Sequence, residues 1–72
     1  MNGDRLRGIR AERRVTNEDC GNAIGLSALS YRRKESGEID FKLGEVVGLV
    51  SYLHMNFTEL NDVFFDGRLT VS

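Results

Sequence analysis

Proline and tryptophan are absent from this chain of 72 residues, and cysteine occurs once, as Cys20. A single cysteine cannot form a disulfide within the chain, which is typical of proteins in a reducing compartment. No apolar run approaches the roughly 20 residues needed to span a bilayer, and the N-terminus lacks the apolar core of a signal peptide. We therefore expect one cytoplasmic domain with a small hydrophobic core.

The residue types that carry catalysis or hold metals are equally scarce. Histidine occurs only at His54, far in sequence from Cys20. The thiol therefore has no neighbouring base, and the imidazole has no cluster of further ligands. The sequence predicts no enzyme activity, no metal and no cofactor. Cys20 is interpreted as a small buried apolar residue, and His54 as the end of a helix, because histidine tolerates positive φ.

The net charge is only −1, but the two halves of the chain differ in sign. Residues 1–34 carry eight basic and four acidic side chains, a net charge of +4. Residues 35–72 carry two basic and seven acidic side chains, a net charge of −5. A basic first half favours a surface that faces DNA or an acidic partner, while the simpler interpretation is a solvated mixture of surface charges.

The segment Thr16–Gly37 has the clearest local pattern. Thr16, with Asp19 three residues later, predicts a capping box at the start of a helix over about residues 17–24. Gly25 allows the chain to reverse, and Ser27 can cap a next helix over about residues 28–36, which Gly37 ends. Two short helices joined by a tight turn that contains glycine are typical of a helix-turn-helix.

Three further helices complete the prediction of an all-α, five-helix bundle. The first, over about residues 4–14, is capped by Asp4, and the fifth starts after Asn56 with a capping box to Glu59 and runs to about Phe64. The fourth covers about residues 43–53. Its apolar residues recur at helical spacing and are expected to face the core: Leu43, Val46, Val47, Val50 and Leu53.

Two features of the C-terminal third stay open. Leu49 and Tyr52 fall off the main apolar stripe of the fourth helix, so they face either a partner or the core of a nearly all-round buried helix. Asp66-Gly67 indicates either a hairpin turn, with residues 68–71 adding a strand to a partner copy or another protein, or simply the end of the fifth helix. Of the two we favour the helix end, followed by a frayed or loosely packed tail. We take residues 1–65 as the domain and 66–72 as a tail.

The motifs of the chain resemble one known family. LRGIRAERR, VTNED, the glycine in AIGLS, YRRKESG and FTEL are similar to the helix-turn-helix domain of the Cro and lambda-repressor type, over about residues 5–65. The resemblance implies a lambda-repressor-like fold and a small regulator of a temperate-phage switch, of the Cro or modulator-of-repression kind. Toxin–antitoxin antidotes and restriction-control proteins share the domain.

The chain departs from the family where bases should be read. The family places polar side chains at the first two positions of the recognition helix, whereas this chain has Ala28 and Leu29, which cannot hydrogen-bond to a base edge. We therefore expect this helix to bind a partner repressor protein and so modulate repression. The predicted surface consists of Ser27, Ala28, Leu29, Ser30, Arg32 and Arg33. Residues predicted to contact phosphate or acidic groups are Asn17, Arg10, Arg13, Arg14 and Lys34.

The alternative is a homodimeric, Cro-like repressor that binds operator DNA directly. The helix from Ala28 would then enter the major groove, Arg33 would read a base, and Leu29 would touch a thymine methyl group.

Overall fold

The computed structural model describes residues 1–70, which form five α-helices and no strand. The helices are α1 (Gly3–Glu12), α2 (Asn17–Ala23), α3 (Ala28–Glu35), α4 (Leu43–Tyr52) and α5 (Phe57–Phe64). The radius of gyration, 11.3 Å, is that of a compact chain of this length. The all-α, five-helix prediction is confirmed for this part of the chain. No helix in it is long and apolar enough to cross a membrane.

The N-cap of the first helix lies two residues earlier than expected. Asn2, not Asp4, is the N-cap, because its side-chain oxygen accepts a hydrogen bond from the Arg5 N–H at 3.1 Å. Asp4 lies in the first turn, where it pairs with Arg7 instead. The helix ends at Glu12 rather than near Arg14, which takes a left-handed conformation with φ of 56°.

The predicted caps of α2 and α3, and the glycine in the turn between them, are confirmed. Thr16 and Asp19 form a reciprocal capping box, with both hydrogen bonds at 3.0 Å. Ser27 accepts the Ser30 N–H at 3.1 Å, and Gly25 has φ of 78° in the turn between the helices. α2 packs most extensively against α3, and it also contacts α4. A methyl group on Gly21 of α2 would lie 2.7 Å from the Leu26 carbonyl oxygen, so the close backbone approach of this turn requires glycine.

The core forms around Tyr31, the largest fully buried side chain. Its ring packs on Phe41, with centroids 5.9 Å apart, and Phe41 in turn meets Phe64 edge-on at 5.8 Å. The three rings thus join α3, the loop before α4 and α5. The remaining buried apolar residues are Leu6, Ile9, Cys20, Leu49, Leu53, Met55 and Val63.

The face that α4 turns to the core differs from the predicted one. Leu43 and Val47 are 79% and 62% exposed, whereas Leu49 is fully buried. Leu49, Val50 and Leu53 form the inward stripe, and Val46 is half-buried. The rotation has a packing cause, since Gly48 lies against Ile24, the residue after α2, so closely that a Cβ there would be 3.0 Å from the Ile24 Cγ2. Glu45 accepts the Lys42 N–H at 2.9 Å and so closes the start of the helix.

The chain after α5 is tied back to that helix. Asn56 and Glu59 form the predicted capping box at its start. At its end, Asp66 and Gly67 both have positive φ, and Phe65 accepts the Arg68 N–H at 2.9 Å, as in a tight turn of the hairpin class. The Asn61 amide then donates to the Leu69 carbonyl and accepts the Leu69 N–H. The tail is thus attached as far as Leu69 rather than frayed, and it forms no strand up to residue 70. Residues 71–72 lie outside the described part.

Candidate recognition surface

Four exposed residues share the side of α3 that points away from the core. Ala28 and Arg32 are four residues apart, as are Leu29 and Arg33, and all four are exposed. Leu29 is 49% exposed. The opposite side carries Tyr31, Lys34 and Glu35, which are buried. We call the four residues Ala28, Leu29, Arg32 and Arg33 the α3 outer face.

The two serines predicted for this surface are engaged in the local structure. The Ser27 hydroxyl accepts the Ser30 N–H and donates to the Ser30 hydroxyl oxygen at 3.1 Å. Ser30 is only half-exposed. Both serines therefore hold the start of α3 and lie beside the outer face.

Asn17, the first residue of α2, is brought next to α3 by the turn between the helices. It lines an open cleft of about 620 Å³ together with Arg32, Arg7 and the first residues of α1. Its side-chain oxygen is buried and accepts no hydrogen bond within residues 1–70. The cleft contains acids as well as arginines, since Asp4, Glu35 and Asp66 also line it.

Arg10 is held inside the molecule rather than presented to a partner. Its Nε and Nη2 donate to the two Glu35 oxygens at 3.1 and 3.2 Å, and its Nη1 donates to the Val15 carbonyl at 3.1 Å. Hydrogen bonding to Glu35 raises the pKa of Arg10 above its ordinary value. This bidentate pair joins α1 to α3.

Arg13 and Lys34 are held in the same way. Arg13 donates from Nη2 to both Glu59 oxygens at 2.8 and 3.0 Å, and from Nε to the Leu53 carbonyl at 2.7 Å. The Lys34 ammonium lies 2.6 Å from a Glu45 oxygen and is 10% exposed. Because their donors are occupied within the chain, we assign Arg10, Arg13 and Lys34 structural roles and remove them from the predicted contact set.

The acids that hold these cations were not expected as partners. Glu45 and Glu59 are both third-position acids of helix caps, and that local role is visible in the sequence. Their second role requires contacts 11 and 46 residues away along the chain, for which a single sequence gives no signal. Of the predicted cations, Arg14, Arg32 and Arg33 are exposed and make no side-chain ion pair within residues 1–70.

Cys20 and Tyr31 lie in the core beneath this surface. The thiol is fully buried, and burial raises its pKa, which makes it a poor nucleophile. Burial likewise raises the pKa of the Tyr31 phenol. His54 has φ of 53° after α4, as its predicted position at the helix end requires. In residues 1–70, no group of three or more His, Cys, Asp or Glu side chains is placed to hold a metal ion.

Comparison with known proteins finds no relative of this chain. No family model matches the chain, and no match was found among curated proteins or solved structures. Arguments about function therefore rest on the residues themselves.

Proposed function

We propose that α2 and α3 form a helix-turn-helix and that the chain is a transcriptional regulator, of the Cro-like or modulator-of-repression kind that its motifs resemble. In this proposal the α3 outer face binds a partner repressor protein and thereby modulates repression. The observation that carries the proposal is the exposed pair Ala28 and Leu29 on the first turn of α3. An exposed leucine with arginines one turn away suits an apolar patch with an acidic rim on a protein surface.

The distribution of cations also favours a protein partner over DNA. Tight binding to DNA uses several lysines and arginines that neutralise phosphates. Arg10, Arg13 and Lys34 are engaged in internal ion pairs and do not serve that purpose. The two exposed arginines of the α3 outer face, Arg32 and Arg33, are enough to pair with acidic side chains on a partner.

The second candidate is direct binding to operator DNA as a homodimer. It is favoured by the exposure of Arg32 and Arg33 in the last turn of α3, because an arginine there can reach a guanine edge or a phosphate. Leu29 would then contact a thymine methyl group. Joint binding, in which a repressor complex still touches DNA, combines the two candidates.

The test compares Leu29→Asp with Phe57→Asp, a matched control. Phe57 is 45% exposed and begins α5, a helix that packs mainly on α1. Proteins that co-purify with the tagged chain from its host are identified, and the complex is rebuilt from purified components for calorimetry. In parallel, duplexes selected from a random pool are tested with the chain alone by gel shift at about 50 and 200 mM salt.

The two candidates predict opposite results. If the partner is a repressor, Leu29→Asp weakens its binding at least about 100-fold, Phe57→Asp leaves it unchanged, and the chain alone shifts no duplex specifically. Nanomolar, salt-dependent binding of the chain alone to a specific duplex, lost in Arg33→Ala but kept in Leu29→Asp, would establish the second candidate instead.

A further inference from the structure

The loop after α3 is fastened to the end of that helix by one carbonyl group. The Arg33 carbonyl oxygen accepts the Glu38 N–H at 3.0 Å and the Ile39 N–H at 3.3 Å. The Ser36 hydroxyl donates to the same oxygen at 2.9 Å. Gly37, with φ of 87°, is the left-handed residue that turns the chain back to this position. The backbone of Glu38 and Ile39 is therefore held beside Arg33, which belongs to the α3 outer face.

The side chains of this loop differ in charge from those of the α3 outer face. Ile39 is 45% exposed, and the exposed carboxylates of Glu38 and Asp40 lie on either side of it in the sequence. Neither carboxylate forms an ion pair within residues 1–70. Leu29 precedes Arg33 by four residues, about 6 Å along the helix axis. An exposed apolar side chain thus lies before Arg33 and another after it, and carboxylates accompany only the second.

We propose that the partner repressor of the proposed function, on which this inference rests, contacts Glu38 and Ile39 together with the α3 outer face. The binding surface then continues across the end of α3 onto the loop. The partner offers a second apolar pocket for Ile39 and a basic side chain for Glu38, beside the acidic groups that pair with the arginines. We call the α3 outer face together with Glu38 and Ile39 the extended face.

The mixture of charges selects a protein over DNA as the occupant of the extended face. The DNA backbone carries only negative phosphates, which attract Arg33 but are repelled by the carboxylate of Glu38. A protein surface can place an acid opposite Arg33 and a base opposite Glu38. Such complementary charges fix the register of a complex and disfavour other partners.

The hydrogen bonds to the Arg33 carbonyl also prepare the loop for binding. Because they hold residues 38 and 39 against α3, binding does not have to order this part of the backbone. Two apolar side chains at separate points, Leu29 and Ile39, define the orientation of a partner better than one. The extended face is therefore a more selective surface than the α3 outer face alone.

The test titrates the purified repressor partner into loop variants and follows binding by calorimetry. Ile39→Asp removes the second apolar contact, and Glu38→Lys reverses the charge beside it. Phe57→Asp, at an equally exposed apolar position on α5, is the matched control for an added carboxylate. A mixed-sequence duplex of about 20 base pairs, at about 50 mM salt, is the probe for DNA. Circular dichroism verifies that each variant is folded.

The expected result separates the loop variants from the control. Ile39→Asp should weaken repressor binding at least about tenfold, whereas Phe57→Asp leaves it unchanged. Glu38→Lys should weaken it at least about threefold, and this loss should shrink as the salt concentration rises. Glu38→Lys should also strengthen binding to the duplex, because it replaces a repelled carboxylate with a cation.

The outcomes distinguish failure of the extended face from failure of the proposed function. Repressor binding that is lost in Leu29→Asp but unchanged in Ile39→Asp and Glu38→Lys would overturn the extended face alone. A chain that binds a specific duplex and no repressor would overturn both. Equal losses in Ile39→Asp and Phe57→Asp would reflect added charge in general and would also overturn the extended face.

Discussion

At the scale of single residues, two glycines of α1 have opposite surroundings. Gly3, the first residue of the helix, lies against the end of α3, and a Cβ built there would overlap the Glu35 carbonyl oxygen. Gly8, in the middle of the same helix, is exposed, and a Cβ there would meet nothing within 4 Å. Only the first of them is required by packing.

We predict that Gly3→Ala destabilises the protein by about 1–3 kcal/mol, because the two helices must move apart to admit the methyl group. Gly8→Ala serves as the matched control and should stabilise it by about 0.5–1 kcal/mol through helix propensity. Urea unfolding followed by circular dichroism measures both changes. Equal effects of the two substitutions would contradict the close contact between α1 and α3.

The arginines divide in the same way between structure and surface. Arg13 bonds to Glu59 and to the Leu53 carbonyl, whereas Arg33 is exposed. We expect Arg13→Gln to destabilise the fold by about 1–3 kcal/mol, since it leaves a buried carboxylate and a carbonyl without their donor. Arg33→Ala should change stability by less than about 0.5 kcal/mol.

The binding measurement completes this comparison. In the proposed complex, Arg33→Ala should lower the affinity for the partner. Arg13→Gln, measured well below its midpoint temperature of unfolding, should leave that affinity unchanged. A loss of affinity in Arg13→Gln equal to that in Arg33→Ala would return Arg13 to the contact set.

At the scale of elements, the sequence predicts where helices start better than how they are rotated. The boxes at Thr16 and Asn56 depend on residues three positions apart, so the local pattern is sufficient. The rotation of α4 is not local. Apolar residues surround most of that helix, and both Leu43 and Leu49 belong to acceptable stripes. Contact between Gly48 and Ile24, which follows α2, decides between them.

The tail after α5 is an element that one side chain holds in place. Asn61 is 9% exposed, and its side-chain amide both donates to and accepts from the backbone of Leu69. It thus makes the pair of hydrogen bonds that the backbone of a neighbouring strand would otherwise make. We predict that Asn61→Ala lowers the hydrogen-exchange protection factor of the Leu69 amide at least about tenfold, while protection factors in α1–α3 fall much less. Asp62→Ala, a substitution at the adjacent and more exposed position, should keep that protection. Protection at Leu69 that survives in Asn61→Ala would show that the tail is held by other contacts.

At the scale of the whole molecule, the basic and acidic halves of the sequence form ion pairs with each other in the folded chain. The basic half and the acidic half are joined by Arg10–Glu35, Arg13–Glu59 and Lys34–Glu45, each linking residues 1–34 to residues 35–72. From the sequence, the outward position of Leu29 and Arg33 could be predicted by helical spacing. The ion pairs of Arg10, Arg13 and Lys34 could not be predicted, because they form only when distant segments of the chain come together.

These pairs predict how stability depends on pH. The hydrogen bond from Lys34, and then that from the Lys42 N–H, holds the pKa of Glu45 below its ordinary value. The Asn56 N–H, followed by the Arg13 guanidinium, does the same for Glu59. A carboxyl whose folded pKa is lowered stabilises the fold above its unfolded pKa, which is about 4.3 for glutamate, and that contribution is lost as pH falls through the folded value. The free energy of unfolding should therefore be constant near neutrality and fall below about pH 5.

Substitution of one acid tests the origin of this loss. Glu59→Gln keeps a side chain that can accept the Asn56 N–H but has no charge to lose, so its stability should start lower and decline less steeply between about pH 5 and pH 3. Glu38→Gln, at an exposed loop position, should follow the unmodified chain. Urea unfolding across this pH range measures each slope. A slope for Glu59→Gln as steep as that of Glu38→Gln would mean that acid unfolds the protein through groups other than this ion pair.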